Sequence, residues 1–183
     1  MTKTRSKAKQ KLIDDKVGRA KQLKLSKKQP LMNIAAFDQA TKCGVAYQAS
    51  NTDEFKVELW DLKIGSKESQ GMKWIRFEAR LLKFIQQNNI EIIAYELPSG
   101  RNINPIIHSS KLIAIIEKVC VENEVEYIEF AASEIKKFAT GKGNANKEVM
   151  IEYAKSLWGY QGEDDNEADA IHILHLLKSK INV

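Results

Sequence analysis

Cysteine is scarce in this 183-residue chain, with only Cys43 and Cys120 present. Two cysteines are too few for a disulfide framework or a cysteine-rich zinc site, and they suggest a reduced, cytoplasmic setting. No run of 18 apolar residues occurs, which excludes a membrane-spanning helix. The first ten residues, Met1 to Gln10, include basic side chains with no apolar stretch behind them, which argues against a secretory signal. Neither phosphate-loop pattern is found, the one ending in GK followed by Ser or Thr or the one spaced GxGxxG, so no nucleotide cofactor is expected. Internal repeats and low-complexity tracts are also missing from residue 31 onward.

What remains is ordinary globular composition, 43% hydrophobic and 29% charged, at a length that suits one domain plus an appendage. The net charge of +5 is unevenly distributed. Residues 1 to 28 contain eleven Lys or Arg against Asp14 and Asp15, a segment of +9, and the rest has 18 basic and 22 acidic residues, or −4. Pro30 closes the basic stretch, because the residue before a proline is pushed out of helical geometry. Residues 1–30 therefore read as a basic arm, flexible or partly helical, and 31–183 as an acidic domain. Such an arm suits a polyanion, most often nucleic acid.

Leu31 to Asp38 is an apolar run ending in a carboxylate, as a buried central strand would be. A short turn from Gln39 to Lys42 leads to a second strand, Cys43 to Tyr47, and Phe55 to Ile64 alternates with period two as a third. These three predict an antiparallel meander. From Ser69 to Asn88 the period becomes helical, with Trp74, Phe77, Leu81, Leu82, Phe84 and Ile85 on one face. Glu91 to Glu96 predicts a short buried strand, Ile106 to Val121 a helix, and Val125 to Phe130 a fifth strand. A short helix capped by Ser133 and stopped by Gly141 and Gly143 follows, then helices from Asn146 to Leu157 and from Asp165 onward. The fold class is α/β: a five-stranded mixed sheet flanked by helices.

Three acids stand where a buried domain does not place them idly. Asp38 ends the first strand, Glu96 ends the fourth, and Asp169 lies one turn inside a mostly apolar helix. Ionised carboxylates are costly to bury unless paired or bound to a metal. Ligands of α/β sheets collect at the carboxyl ends of strands, and adjacent parallel strands would set Asp38 and Glu96 side by side. Like charges so placed need a cation, and an all-oxygen donor set favours Mg²⁺, with Mn²⁺ as a substitute. Two such ions are suited to phosphodiester hydrolysis.

The blocks around these acids resemble a family. FDQATKCGVA (Phe37 to Ala46) is similar to the first motif of RuvC-like Holliday junction resolvases, particularly bacteriophage-type ones, and IAYE (Ile93 to Glu96) to their second. Ile135-Lys136-Lys137 with Thr140 to Lys147 is similar to their basic third block, and Asp164 to Ile171 to their acidic C-terminal helix. The resemblance covers about residues 31 to 177 and implies the RNase H-like fold. It implies Asp38, Glu96 and Asp169 as metal-binding catalytic carboxylates, with Asn166 at a position where the family often has Asp or His. Asn166 offers a neutral oxygen only, so Asp165 is an alternative fourth ligand, or else a helix cap. Lys136, Lys137, Lys142 and Lys147 fall in the block that approaches DNA, Lys136 and Lys147 at positions that approach the scissile strand, with Lys147 implied as catalytic, and Arg101 lies in a loop (Pro98 to Pro105) that faces DNA in the family. His108, His172 and His175 form no metal spacing with the cysteines; His172 and His175 read as residues of a packing helix, and Trp60, Trp74 and Trp158 as core.

The implied activity is a metal-dependent endodeoxyribonuclease acting as a homodimer on four-way junctions by paired symmetric nicks. Cleavage of forks or flaps and a non-catalytic DNA-binding protein on the same scaffold are the alternatives; a sugar-kinase-like phosphotransferase fails on length. The basic arm generates a first prediction. Deleting residues 1–28 will weaken binding to a four-way junction and flatten the dependence of log affinity on log salt, since the slope falls by about 0.9 for each phosphate no longer neutralised. The readout is a salt series of binding isotherms, and an unchanged slope counts against contact between arm and phosphates.

Overall fold

The structure, a computed structural model, describes residues 32–181; the predicted basic arm lies outside the described residues. Five strands form one sheet: β1 (Ile34–Asp38), β2 (Lys42–Gln48), β3 (Phe55–Asp61), β4 (Ile92–Leu97) and β5 (Glu126–Ala131). Five helices flank it: α1 (Gln70–Asn88), α2 (Ile103–Glu122), α3 (Ala132–Thr140), α4 (Lys147–Trp158) and α5 (Asp165–Ile181). The strand order is β3-β2-β1-β4-β5. The first three strands form the expected antiparallel meander, and β4 and β5 add in parallel beyond β1. The RNase H-like, mixed-sheet expectation thus agrees with the observed architecture.

Strand alternation assigns the sheet residues to two cores. Ala35, Phe37, Val45, Ile93 and Tyr95 pack under α1 and α2 with Trp60, Phe77, Leu81, Leu112 and Ile116. Ile34, Ala36, Ala46, Ile92 and Ala94 face the opposite way, toward α5 and its neighbours. The residues facing α5 include three alanines, and their small size admits a helix that is itself buried nearly all round, from Ala168 through Ala170, Ile171, Ile173, Leu174 and Leu177. His172 belongs to this packing. Its Nε2–H donates to the Met150 carbonyl at 2.9 Å, its Nδ1 accepts from the Trp158 indole N–H at 3.2 Å, and burial holds its pKa below the ordinary value.

The closest approach is at Gly44. A Cβ there would lie 1.9 Å from the carbonyl oxygen of Asn166. No side chain fits, so glycine is what lets the first turn of α5 rest directly on β2.

Several expectations are corrected. Ser133 does not cap α3, because β5 runs straight into the helix and Ala131 is the capping residue, with no side-chain hydrogen bond. Gly141 ends α3 with φ of 74° as expected, and Asn146 caps α4 by accepting the Val149 N–H at 3.0 Å. Trp60 is core, but Trp74 and Trp158 are only half-buried.

Gly44→Ala will force α5 off the sheet. Forced overpacking costs about 1–3 kcal/mol, and backbone offers little room to yield. Chemical denaturation should show a loss near the top of that range, whereas an unchanged midpoint would mean that α5 does not rest on β2.

Candidate active site

Asp38 is the last residue of β1, and Gly44 is its partner on β2. On the other side β1 runs parallel to β4, where Phe37 and Tyr95 are the final registered pair and Asp38 and Glu96 come next on their strands. Both carboxylates share the parity of Ala36 and Ala94, so both face α5. From above, α5 brings Asp165 and Asp169, four residues apart and hence on one helical face. Two strand ends and one helix thus direct four half-buried carboxylates into one space.

Their electrostatics reflect the proximity. The Asp38 carboxyl is held well above the usual range by burial first, then by the negative charges of Asp169, Glu96 and Asp165, with Lys147 opposing. Glu96 is pushed up to about 7 by burial and Asp169, with Lys136 opposing. Asp169 is pushed up to about 6 by burial and Asp165, against Lys136 and Lys147. Lys147, on the first turn of α4, bonds Asp165, and that hydrogen bond is the main reason its ammonium is held above its ordinary value. Two lysines therefore bracket the acids, Lys136 on the side of Glu96 and Lys147 on the side of Asp38 and Asp165. Lys137, Lys142 and Arg101 are exposed and are not among the charges acting on the cluster.

The structure distinguishes the residues around the last acid. Asp164 caps α5, its Oδ1 accepting the Asn166 backbone N–H at 2.9 Å, the Glu167 N–H at 3.4 Å and the Asn166 side-chain amide at 3.1 Å. The amide nitrogen of Asn166 is committed to this cap, while Asp165 faces Asp38, Asp169 and Lys147. Glu167 is not a free solvated acid, because it accepts the Tyr160 hydroxyl at 2.5 Å.

Sequence reasoning missed Gln39, one of the few buried polar residues at 4% exposure. Its side-chain amide donates to the Glu96 backbone carbonyl, and its own backbone carbonyl accepts the Ser109 hydroxyl at 2.9 Å. It also missed the role of Gly44. Nothing about a glutamine in a turn, or a glycine in a strand, marks a contact with residues far along the chain.

Among the described residues no three His, Cys, Asp or Glu side chains stand close enough together to hold a metal ion as they are. The cluster is open, with Lys147 paired to Asp165 at its edge. Asp169 Oδ1 is buried with no hydrogen-bond partner, and the donors are all oxygen. An orphaned carboxylate oxygen among like charges fits a hard divalent cation.

No family model matches the chain. The crossover junction endodeoxyribonuclease RuvC of Brachyspira hyodysenteriae is 26% identical over 136 residues, 72% of this chain and 84% of that protein. The RuvC of Caldicellulosiruptor saccharolyticus is 25% identical over 138 residues, 72% and 83% of the two chains. Among solved structures, T. thermophilus RuvC in complex with a Holliday junction substrate superimposes with a TM-score of 0.68 at 19% identity, over 82% of this chain and 96% of that one. The yeast mitochondrial Holliday junction resolvase follows at 0.50 and 12%, over 86% and 85%. The chain is thus similar to RuvC endonucleases in sequence and shares their fold.

The raised carboxyl values have a stability consequence. A carboxyl whose pKa is higher folded than unfolded costs nothing while protonated in both states; the cost grows above the ordinary value near 4 and is complete above the folded value. For Glu96 and Asp169 that window closes at about 7 and about 6. Between pH 6 and pH 8 in chelator, Glu96→Gln should therefore gain Tm relative to the parent, by roughly 2–4 °C per kcal/mol relieved in a protein of this size. A gap that does not widen with pH would show that Glu96 is not buried against its neighbours. Mg²⁺ should raise the parent Tm at pH 8 and raise that of Glu96→Gln less.

Proposed function

We propose that this chain resolves Holliday junctions, as a metal-dependent endodeoxyribonuclease that nicks two strands of a four-way junction symmetrically. The observation that carries the reading is the open carboxylate cluster of Asp38, Glu96, Asp165 and Asp169 between two lysines, on a fold shared with RuvC. Similarity to crossover junction endodeoxyribonucleases supports the substrate.

Asp38, Glu96 and Asp169 would hold the metal, with Asp165 as the fourth acid in preference to Asn166. When bound, Mg²⁺, or Mn²⁺ in its place, supplies the activation of water and the neutralisation of charge on the leaving 3′-oxygen. The chain's own residues do the rest. β1 and β4 fix Asp38 and Glu96 on a rigid sheet, and α5 fixes the other two. Lys147 and Lys136 place positive charge where a scissile phosphate must approach an otherwise negative surface, offsetting charge that builds in the transition state. Lys137, Lys142 and Arg101, exposed outside the cluster, are suited to flanking phosphates.

Two nicks of like polarity call for two sites related by a two-fold axis, hence a homodimer. Large apolar side chains exposed on α1 and α2, Ile75 at 61%, Ile103 at 67% and Ile107 at 45%, support such an interface. No helix among the described residues is long and apolar enough to cross a membrane.

The test is a mobile four-way junction incubated with Mg²⁺ and either the parent or Asp38→Asn. The parent should give paired nicks. The variant should bind equally well yet cut at least about a hundredfold more slowly, because a metal ligand is removed. Equal cutting by Asp38→Asn would refute the carboxylate assignment, and faster cutting of a fork or flap than of the junction would change the substrate.

A further inference from the structure

Gln39 sits where the β1–β4 ladder ends. The last registered pair is Phe37 with Tyr95, and immediately beyond it the Gln39 amide donates to the Glu96 carbonyl. A side chain thus continues the hydrogen bonding that the backbones give up, between the two strand ends that carry Asp38 and Glu96. The Ser109 hydroxyl on α2 donates to the Gln39 backbone carbonyl at 2.9 Å, so the turn is anchored from a third element.

Three polar side chains are buried among the described residues: Gln39, Gln48 and His172. Gln48 donates to the Thr52 carbonyl at 2.7 Å and accepts from Lys178 at 3.3 Å, and both ring nitrogens of His172 are engaged. Gln39 differs, since its Oε1 is buried with no partner. Flipping the amide does not cure this, because it would set Oε1 against the Glu96 carbonyl, acceptor to acceptor. Asp169 Oδ1, Glu126 Oε2 and His175 Nε2 are the other buried side-chain atoms without a partner among the described residues, and of these Asp169 belongs to the carboxylate cluster. A buried acceptor left without a donor is a standing cost that calls for a specific explanation.

We infer that Gln39 is a positioning residue for divalent-cation binding: its amide nitrogen, held by the turn that Ser109 anchors, fixes the Glu96 strand end beside Asp38. This rests on the metal-dependent reading above. Residues that orient metal ligands in this way typically change metal affinity about 10–100-fold when removed.

The experiment measures Mn²⁺ binding to the full chain without DNA, by the loss of the free-ion electron paramagnetic resonance signal, for the parent, Gln39→Ala and Gln39→Met. Methionine keeps length and volume and removes both polar atoms, so it guards against simple cavity effects; circular dichroism verifies folding. Both variants should bind Mn²⁺ at least about tenfold more weakly than the parent. The Mg²⁺ concentration for half-maximal junction cleavage should rise in parallel, while junction affinity in chelator stays unchanged. Parental Mn²⁺ affinity in a folded Gln39→Met overturns the proposal and leaves the nuclease reading intact. A parent that cuts no junction and binds no Mn²⁺ refutes the nuclease reading itself and takes this proposal with it.

Discussion

The site depends on repulsion that the fold does not allow to relax. Asp169 is flanked on α5 by Ala168 and Ala170, both fully buried, and the helix continues through Ile171, Ile173 and Leu174 with no exposure. A helix so enclosed cannot roll to move its carboxylate away from Asp38. Asp38 in turn pairs with Gly44 at the end of β1, the central strand, which β2 and β4 hold on its two sides. Two packed cores, one on each face, therefore hold like charges together. Burial first and the neighbouring carboxylates second push Glu96 up to about 7 and Asp169 up to about 6; protonation relieves the repulsion in part, and a divalent cation would offset it further. Stability surrendered at a functional centre in this way is recovered in the surrounding packing.

Two small features make that arrangement possible. Gly44 lets the start of α5 touch β2, and Ala36, Ala46 and Ala94 keep the sheet face low beneath it. Asp164 then starts the helix by collecting two backbone N–H groups and the Asn166 amide. The cap uses one acid so that the next, Asp165, is free to face the cluster and pair with Lys147. Three consecutive polar residues thus have three different tasks, set by helical geometry and not by residue type.

Most of this architecture was legible in the chain. Apolar runs that end in a carboxylate identified β1 and β4, and an acid inside an apolar helix identified Asp169, because burial and charge conflict there and the conflict is visible in one dimension. Other features were not. Ser133 has the right chemistry for a cap, but β5 passes directly into α3 and leaves the capping position to Ala131. Trp74 falls at core spacing, yet its helix face reaches the edge of α2, where Lys73 and Lys111 lie 5.6 and 5.7 Å from its ring and His108 lies 5.3 Å away. Gln39 and Gly44 act on Glu96 and Asn166, partners that only the folded chain supplies.

The division of charge follows from the same constraint. On the proposed function, a domain of −4 with four acids in one space repels a DNA phosphate at the place where it would have to bind. A cation would offset that local field, and Lys136 and Lys147 reduce it beforehand, but both lysines are partly engaged by the acids they oppose. Longer-range attraction must then come from charge outside the cluster. The chain places eleven basic residues in its first 28, far in sequence from every carboxylate of the site. Had those cations been distributed over the domain surface near Asp38 or Asp169, they would have neutralised the acids and competed with the metal. On the proposed function, keeping attraction in the predicted arm and repulsion in the centre would let DNA binding and metal binding be strong independently, the first steep in salt and the second governed by divalent ion and pH.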